Sequence, residues 1–237
     1  MKAAGSKTPD ERRADEIISI WLRDEASPSR PSPLTRERIV NEAVKLLDQH
    51  GVNGLTMRRL AEGMDVTATA LYWHVRIKED VLDLALDHIF GEVPIPDSTA
   101  DWRGDVRRLV RNWRAVMLRH PWAPSLIGRP VLGPRVLART EYLQSALVRG
   151  GLTDLDLAVS TRLLANYVIG AALTEGVSRQ GADPRTSDIA RRHITRDSAA
   201  YPVINASGHL DTGRWNDDDL FDRGLDAILA GLPHRDA

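Results

Sequence analysis

Between Thr35 and Phe90 the chain sets four short apolar runs at helical spacing one after another, separated by glycines and turns. Ile39, Ala43, Leu46 and Leu47 share one face of a helix opened by Thr35, and Gly51 stops it. Val52-Asn53-Gly54 is a turn. Thr56 then caps a short helix from Met57 to Gly63, with Leu60 and Ala61 inward. A second turn, Gly63-Met64-Asp65-Val66, leads to Thr67, which opens a helix through about His74. The fourth helix starts near Lys78, carries Val81, Leu82, Ala85, Leu86, Ile89 and Phe90, and ends at Gly91, Pro94 and Pro96. Two short helices joined by a tight turn, with a longer helix before them, make a helix-turn-helix.

The rest of the chain keeps the helical period. Asp101 to His120 has Trp102, Val106, Leu109, Val110, Trp113 and Met117 on one face, with Arg103, Arg107, Arg111 and Arg114 largely off it and expected in solvent. Pro121 ends it. Trp122–Gly128 reads as a short helix and Pro134–Arg149 as a longer one, stopped by Gly150-Gly151. Thr153 opens a long helix to about Val177 that is apolar on more than one side, as central or interface helices are. Residues 178–214 are polar and turn-rich, with one helix expected around Asp188 to Ser198. Asp217–Gly231 closes the pattern, with three leading aspartates and an apolar stripe of Phe221, Leu225, Ile228 and Leu229. Before all of this, Thr8 to Arg23 forms an amphipathic helix, and Pro28, Pro31 and Pro33 favour an extended linker. No segment alternates as strands do, so the class is all-α. The expected organisation is an N-terminal helix and Pro-rich linker over 1–33, a three-helix helix-turn-helix DNA-binding domain over 34–93, and a larger helical ligand-binding and dimerisation domain over 94–237.

The chemistry excludes more than it offers. There is no cysteine, so disulfides, thiolate metal sites and cysteine nucleophiles are out. No two histidines sit four apart on one helix, and no Gly-rich phosphate loop or Ser/His/Asp arrangement is visible. We therefore expect no catalytic residues, no metal and no cofactor. The longest mostly apolar stretch, Leu163 to Leu173, contains Asn166 and is too short to span a bilayer. No segment at the start reads as a secretion signal, so a cytoplasmic location and no membrane partner are expected.

A helix-turn-helix places its second helix in the major groove of double-stranded DNA. Thr67, Ala68, Thr69 and Ala70 are small enough to let that helix approach closely. Tyr72, His74 and Lys78 carry donors suited to phosphates. Met57 and Arg58 open the preceding helix, where Arg58 can reach backbone or guanine, and Trp73 completes the candidate face. Residues 34–80 hold seven basic and seven acidic side chains, yet Val66 to Lys78 has no acid and two cations, Arg76 and Lys78. Moderate, salt-sensitive affinity follows.

The run Ile39, Ala43, Leu46-Leu47, Gly51, Gly54-Leu55-Thr56-Met57-Arg58-Arg59-Leu60-Ala61, Val66, Leu71-Tyr72-Trp73-His74-Val75 and Lys78 resembles the DNA-binding domain of the tetracycline repressor (TetR) family. The Leu-Tyr-Trp-His-Val segment is especially close to the tetracycline repressors. Phe221-Asp222-Arg223-Gly224-Leu225, with Leu229 and Gly231-Leu232, is similar to the last helix of that subgroup's regulatory domain. The resemblance implies a ligand-responsive regulator, a repressor, that binds a palindromic operator as a homodimer and is released by a small-molecule effector. The competing reading is an α-helical small-molecule-binding or enzymatic protein that carries a helix-turn-helix. Two departures matter. Trp122 to Gly128, ahead of Arg129-Pro130, contains no histidine, so a tetracycline–magnesium chelate is not implied. Alanines at 68 and 70 replace the polar pair of the family's recognition helix, so base contacts must differ.

For the effector, few polar groups among many apolar ones mark a small-molecule site. Trp113 and Met117, four apart, Trp122 after a proline break, Tyr142, Asn166 and Tyr167 are the candidate ligand-binding residues, and the expected ligand is weakly polar and aromatic. The dimer is expected to use Thr153–Val177 and Asp217–Gly231, with the Phe221, Leu225, Ile228 and Leu229 stripe partly exposed in a monomer.

Overall fold

A computed structural model describes residues 20–22, 34–126, 132–181, 184–208 and 215–232. Among the described residues there are helices and no strand. Of the amphipathic helix expected over 8–23, only Ile20–Leu22 is described, as one 3₁₀ turn. The linker and Arg129-Pro130 lie outside the described residues. The α-helices are α1 (Arg36–Gly54), α2 (Met57–Gly63), α3 (Ala68–Leu71), α4 (Lys78–Phe90), α5 (Trp102–Arg119), α6 (Pro134–Arg149), α7 (Asp154–Gly181), α8 (Pro184–Arg196), α9 (Pro202–Ser207) and α10 (Asp217–Gly231).

The chain forms two compact units. One comprises residues 1–95 and 115–143, the other 96–114 and 144–237. In the first, α1 packs on α2 and α4, and α2 on α3. Ile39, Leu47, Leu60, Leu71, Val81 and Ile89 fill its core. Gly51 stands at φ 64° and ψ −175°, a conformation only glycine adopts freely, and it ends the regular part of α1. Two later segments join this unit. The Asp87 carboxylate of α4 accepts the backbone N–H groups of Arg135 and Val136 at 2.8 and 3.1 Å, capping α6. In return Arg139 of α6 donates to the Gly91 and Val93 carbonyls at the end of α4, at 3.1 and 2.7 Å. Segment 115–143 thus packs with the N-terminal residues although it lies beyond residue 93.

In the second unit α7 packs on α10 and α8 on α9. Phe221, Leu225 and Leu229 are buried here within one chain. This corrects the expectation that their stripe is left partly open for a partner. Tyr167 of α7 is the reason. Its ring stacks on Phe221 with centroids 5.1 Å apart, and its hydroxyl donates to the Phe221 carbonyl at 2.7 Å. A Cβ on Gly224 would fall 2.2 Å from that hydroxyl, so glycine there admits the tyrosine. The region expected to be turn-rich is more helical than its polarity suggested. α7 runs on to Gly181, and α8 and α9 follow, each opened by a proline at its first position. From Asp154 to Gly176, α7 is long and apolar enough to cross a membrane by length and composition. Its Leu164, Val168 and Ala172 are nevertheless buried, as is the carboxylate of Glu175. One side of it packs in the core of this unit, and the other is open.

The four arginines of α5 expected in solvent are not simply solvated. Arg107 reaches Asp226 of α10 at 2.6 Å, and Arg111 reaches Asp222 at 2.7 Å. Arg114 holds Asp218 at 2.7 Å and also pairs with Glu175 of α7. Arg103 donates to the Leu229 carbonyl at 3.4 Å. α5 and α10 run antiparallel and are tied rung by rung.

Candidate nucleic-acid interface and effector region

Three threonines shape the reading module. The hydroxyls of Thr35, Thr56 and Thr67 accept the N–H groups of Arg38, Arg59 and Ala70 at 3.2, 3.1 and 3.3 Å, fixing where α1, α2 and α3 begin. The α2–α3 turn passes through Asp65 at φ 55°, the left-handed conformation that aspartate tolerates in turns. α3 is shorter than the expected reach to His74, but the N–H groups of His74 and Val75 still bond to the Leu71 carbonyl at 2.9 and 3.0 Å. Leu71 and Val75 anchor this segment in the core, and its other side is presented to solvent.

That outer side carries the expected residues. Thr67, Ala68 and Thr69 are exposed, and Ala70 and His74 are half-buried. Tyr72 is 51% exposed and Trp73 84%. Two large aromatics left in water beside small residues form a contact surface, because burial would otherwise recover their apolar area. Arg58 is exposed and bonded through Nε to Glu62 at 2.8 Å. Lys78 is half-buried, and its ammonium donates to the Val52 carbonyl at the end of α1 at 2.8 Å. Its free donors remain for phosphate, but it also ties α4 to α1. Met57 is half-buried at the start of α2.

The candidate ligand residues divide between the units. In the first, Met117 is fully buried and Tyr142 half-buried. Trp122 is buried, and its indole Nε1 donates to Asp48 of α1 at 2.7 Å, so it is a strut to the reading module. In the second, Trp113 is half-buried on α5. Asn166 lies on the exposed side of α7 rather than inside an apolar helix core. The Tyr167 hydroxyl is already given to α10. An open depression of about 210 Å³ on α7 and α10 is lined by Tyr167, Thr174, Glu175, Asp217, Leu220 and Phe221. It is smaller than typical sites for drug-sized ligands and two carboxylates line it, a poor match to a weakly polar effector.

Two clusters were not read from sequence. One is the α5–α10 ladder, whose signal was present: arginines at 103, 107 and 111 and aspartates at 218, 222 and 226 share one four-residue period. The other surrounds His120, which joins Asp48 of α1 to Glu92 after α4.

A three-threonine helix-turn-helix followed by an antiparallel α5–α10 pair agrees with what comparison with known proteins shows. The family described as "Bacterial regulatory proteins, tetR family" matches residues 39–85, and "Tetracyclin repressor-like, C-terminal domain" matches residues 95–235. This chain belongs to the TetR family. A relative from Saccharopolyspora erythraea, named HTH-type transcriptional regulator, is 41% identical over 217 residues, covering 90% of this chain and 91% of the relative. The solved structure of the TetR family protein ActR of Streptomyces coelicolor in complex with actinorhodin superposes with a TM-score of 0.76 at 30% identity, covering 85% of this chain and 97% of ActR. BioQ, solved with its double-stranded DNA operator, gives a TM-score of 0.56 at 33% identity, over 62% of this chain and 90% of BioQ. The protein is thus a TetR-family ligand-responsive transcriptional regulator with a helix-turn-helix and a helical regulatory domain, and not an enzyme.

Proposed function

We propose that this TetR-family protein is a cytoplasmic homodimeric repressor that binds a near-palindromic operator and leaves it when a small molecule binds the regulatory domain. The observation that carries the reading is the outer side of α3 and of the turn after it, where Trp73 and Tyr72 stand in solvent beside Ala68 and Thr69. Met57, Arg58, Thr67, Ala70, His74 and Lys78 complete the DNA-binding set, on a domain spanning 34–93. One such module reads one half-site, so a two-fold dimer reads an inverted repeat.

Dimerisation is assigned to the open faces of α7 and α10. Leu155, Val159, Leu163 and Leu173 of α7 are exposed along one side, as is Leu220 of α10. Their spacing forms a stripe that a second copy buries by the same faces. Release requires the effector to favour the operator-incompetent form, since equal affinity for both shifts nothing. The effector contact we retain first is Trp113 in the domain spanning 94–237. ActR, bound to actinorhodin, supports an organic effector.

The test is a mobility shift on the DNA upstream of the protein's own gene, with light scattering for the oligomer. Specific retardation of an inverted repeat by a dimer is expected. Absence of any sequence preference would reject the reading. Trp113→Ala should keep operator binding and lose release by an effector that releases the parent protein.

A further inference from the structure

His120 is 7% exposed and follows the last residue of α5. Its Nδ1 lies 2.7 Å from Oδ1 of Asp48, on the first helix of the reading module. The same oxygen accepts the indole N–H of Trp122 at 2.7 Å, and the His120 and Trp122 rings meet edge-on at 6.0 Å. On the other side, Nε2 lies 3.3 and 3.4 Å from the two carboxylate oxygens of Glu92, in the connection between α4 and α5. Arg119 closes the group by donating to Glu92 at 2.9 Å. α1 is thus held at Asp48 by two side chains from beyond α5, and one of them is an imidazole set between two carboxylates.

Resting on the repressor reading, we propose that His120 is a proton-operated latch that holds α1 to the end of α5 and sets operator affinity. Both ring nitrogens face carboxylates. Only the doubly protonated ring donates to both, while the neutral ring keeps one donor and turns a lone pair on the other acid. The charged groups facing the ring are Asp48 from α1, Glu92 from the α4–α5 connection and Arg119 from α5 itself. His88 of α4 also feels the Glu92 charge, although burial and Arg135 hold its own pKa below the usual histidine range. Burial alone would raise the Glu92 carboxyl, but Arg119 and His120 outweigh it and hold the group below its usual range, ready to receive the proton-bearing ring. Closed, the latch keeps the reading module in one orientation, and a pre-organised module gives up less freedom on binding DNA. Loss of the proton opens the Glu92 side, leaves the ring bonded to Asp48 alone, and so loosens the tie between α1 and the α4–α5 connection.

Fluorescence anisotropy on the operator, from about pH 5.5 to about pH 8.5, tests this for the full-length protein, H120Q and E92Q. Parent and variants share every ionisable group outside the substituted position, His74 included, so the ratio of parent to variant affinity is the readout. That ratio should fall about tenfold from the acid to the alkaline end, the loss of one charge-assisted hydrogen bond. E92Q keeps the His120–Asp48 bond and guards against a folding defect in H120Q. NMR titration of the His120 ring protons in the free protein should break at the pH where the ratio changes. Parallel curves for all three proteins would overturn the latch while leaving the repressor reading intact. A parent protein that binds no operator at any pH would overturn that reading, and the latch's control of affinity with it.

Discussion

Thr67 and Arg107 both hold a helix in place, by opposite means. Thr67 caps α3 by accepting an N–H three residues away, and Thr35 and Thr56 do the same for α1 and α2. Arg107 reaches Asp226, 119 residues further along, and Arg111 reaches Asp222 at a separation of 111. The reading module is therefore assembled from local signals over a small apolar core. The regulatory unit is assembled from pairings that exist only once the chain has folded back on itself. The first kind tolerates change elsewhere in the protein. The second makes α5 and α10 one mechanical piece, and its weakest and strongest rungs differ in burial: Arg114 is buried, whereas Arg107 and Arg111 lie nearer solvent.

The sharpest way to break the contrast is Arg114→Ala. The guanidinium holds Asp218 and Glu175 and lies 4.6 Å over the Phe221 ring. Its removal leaves the buried Glu175 carboxylate without its main partner, which costs about 3–5 kcal/mol. A thermal melt should show a large loss of stability. A small change would mean that Glu175 is solvated and that the ladder has no anchor. Next is Leu225→Ala. Leu225 is 0% exposed within the single chain, so truncation should cost about 2–5 kcal/mol even at concentrations where no dimer forms. Leu220, exposed on the same helix, should give the reverse pattern when changed to Glu, with stability of the monomer kept and dimerisation lost in sedimentation. Equal effects at both positions would merge core and interface, and undo the assignment of faces on α10.

Much of the fold follows from what a residue finds within four positions. Met57–Gly63, Lys78–Phe90, Pro134–Arg149 and Asp217–Gly231 have the bounds expected from their caps, glycines and prolines. The solvent-exposed side of α3 and of the aromatic run after it was legible for the same reason, since small residues, turn and aromatic run are contiguous. The roles of Phe221, Leu225 and Leu229 were not, because an apolar stripe is equally suited to a core and to a partner, and only Tyr167 across the gap decides. The same holds for Trp122, whose indole partner lies 74 residues earlier. Polar faces misled for a different reason. An arginine row on an amphipathic helix reads as solvated unless the matching acidic row, here more than a hundred residues away, is set beside it.

Acid should separate the two regions. Asp105 of α5 is fully buried. Burial would raise its carboxyl, but the Thr99 N–H and hydroxyl, both at 2.9 Å, with Arg149 at 2.6 Å and Arg108, outweigh that and hold it below the usual aspartate range. A carboxyl lowered by folding adds stability that is complete above the unfolded value, about 3.9, and is lost as pH falls through the lower folded value. Asp105→Asn should destabilise the protein by about 1–3 kcal/mol at neutral pH, through hydrogen bonds its amide serves poorly, and should flatten this part of the acid unfolding curve. An unchanged acid limb would show that Asp105 does not carry it. In the reading module, Thr67→Ala removes one cap and should cost about 1 kcal/mol, with weaker operator binding because α3 starts less cleanly. Operator affinity equal to the parent's would mean that DNA itself orders α3.

The smallest effect is expected at the outermost side-chain rung, and its size decides how the ladder works. Arg107 and Asp226 both keep substantial contact with water, so their 2.6 Å pair is screened and must also immobilise a long side chain. A double-mutant cycle with Arg107→Ala and Asp226→Ala should give about 0.2–1 kcal/mol of coupling. Salt at about 1 M should remove most of it, since the screening length there falls to about 3 Å. The same cycle for Arg114 and Asp218 should keep more of its coupling in salt, because the Arg114 guanidinium is buried even though Asp218 is largely exposed. If Arg107–Asp226 proved as strong and as salt-resistant as Arg114–Asp218, the rungs would act as one cooperative network. If the two differ as burial predicts, Arg114 locks α5 to α10 and the outer rungs only set their register.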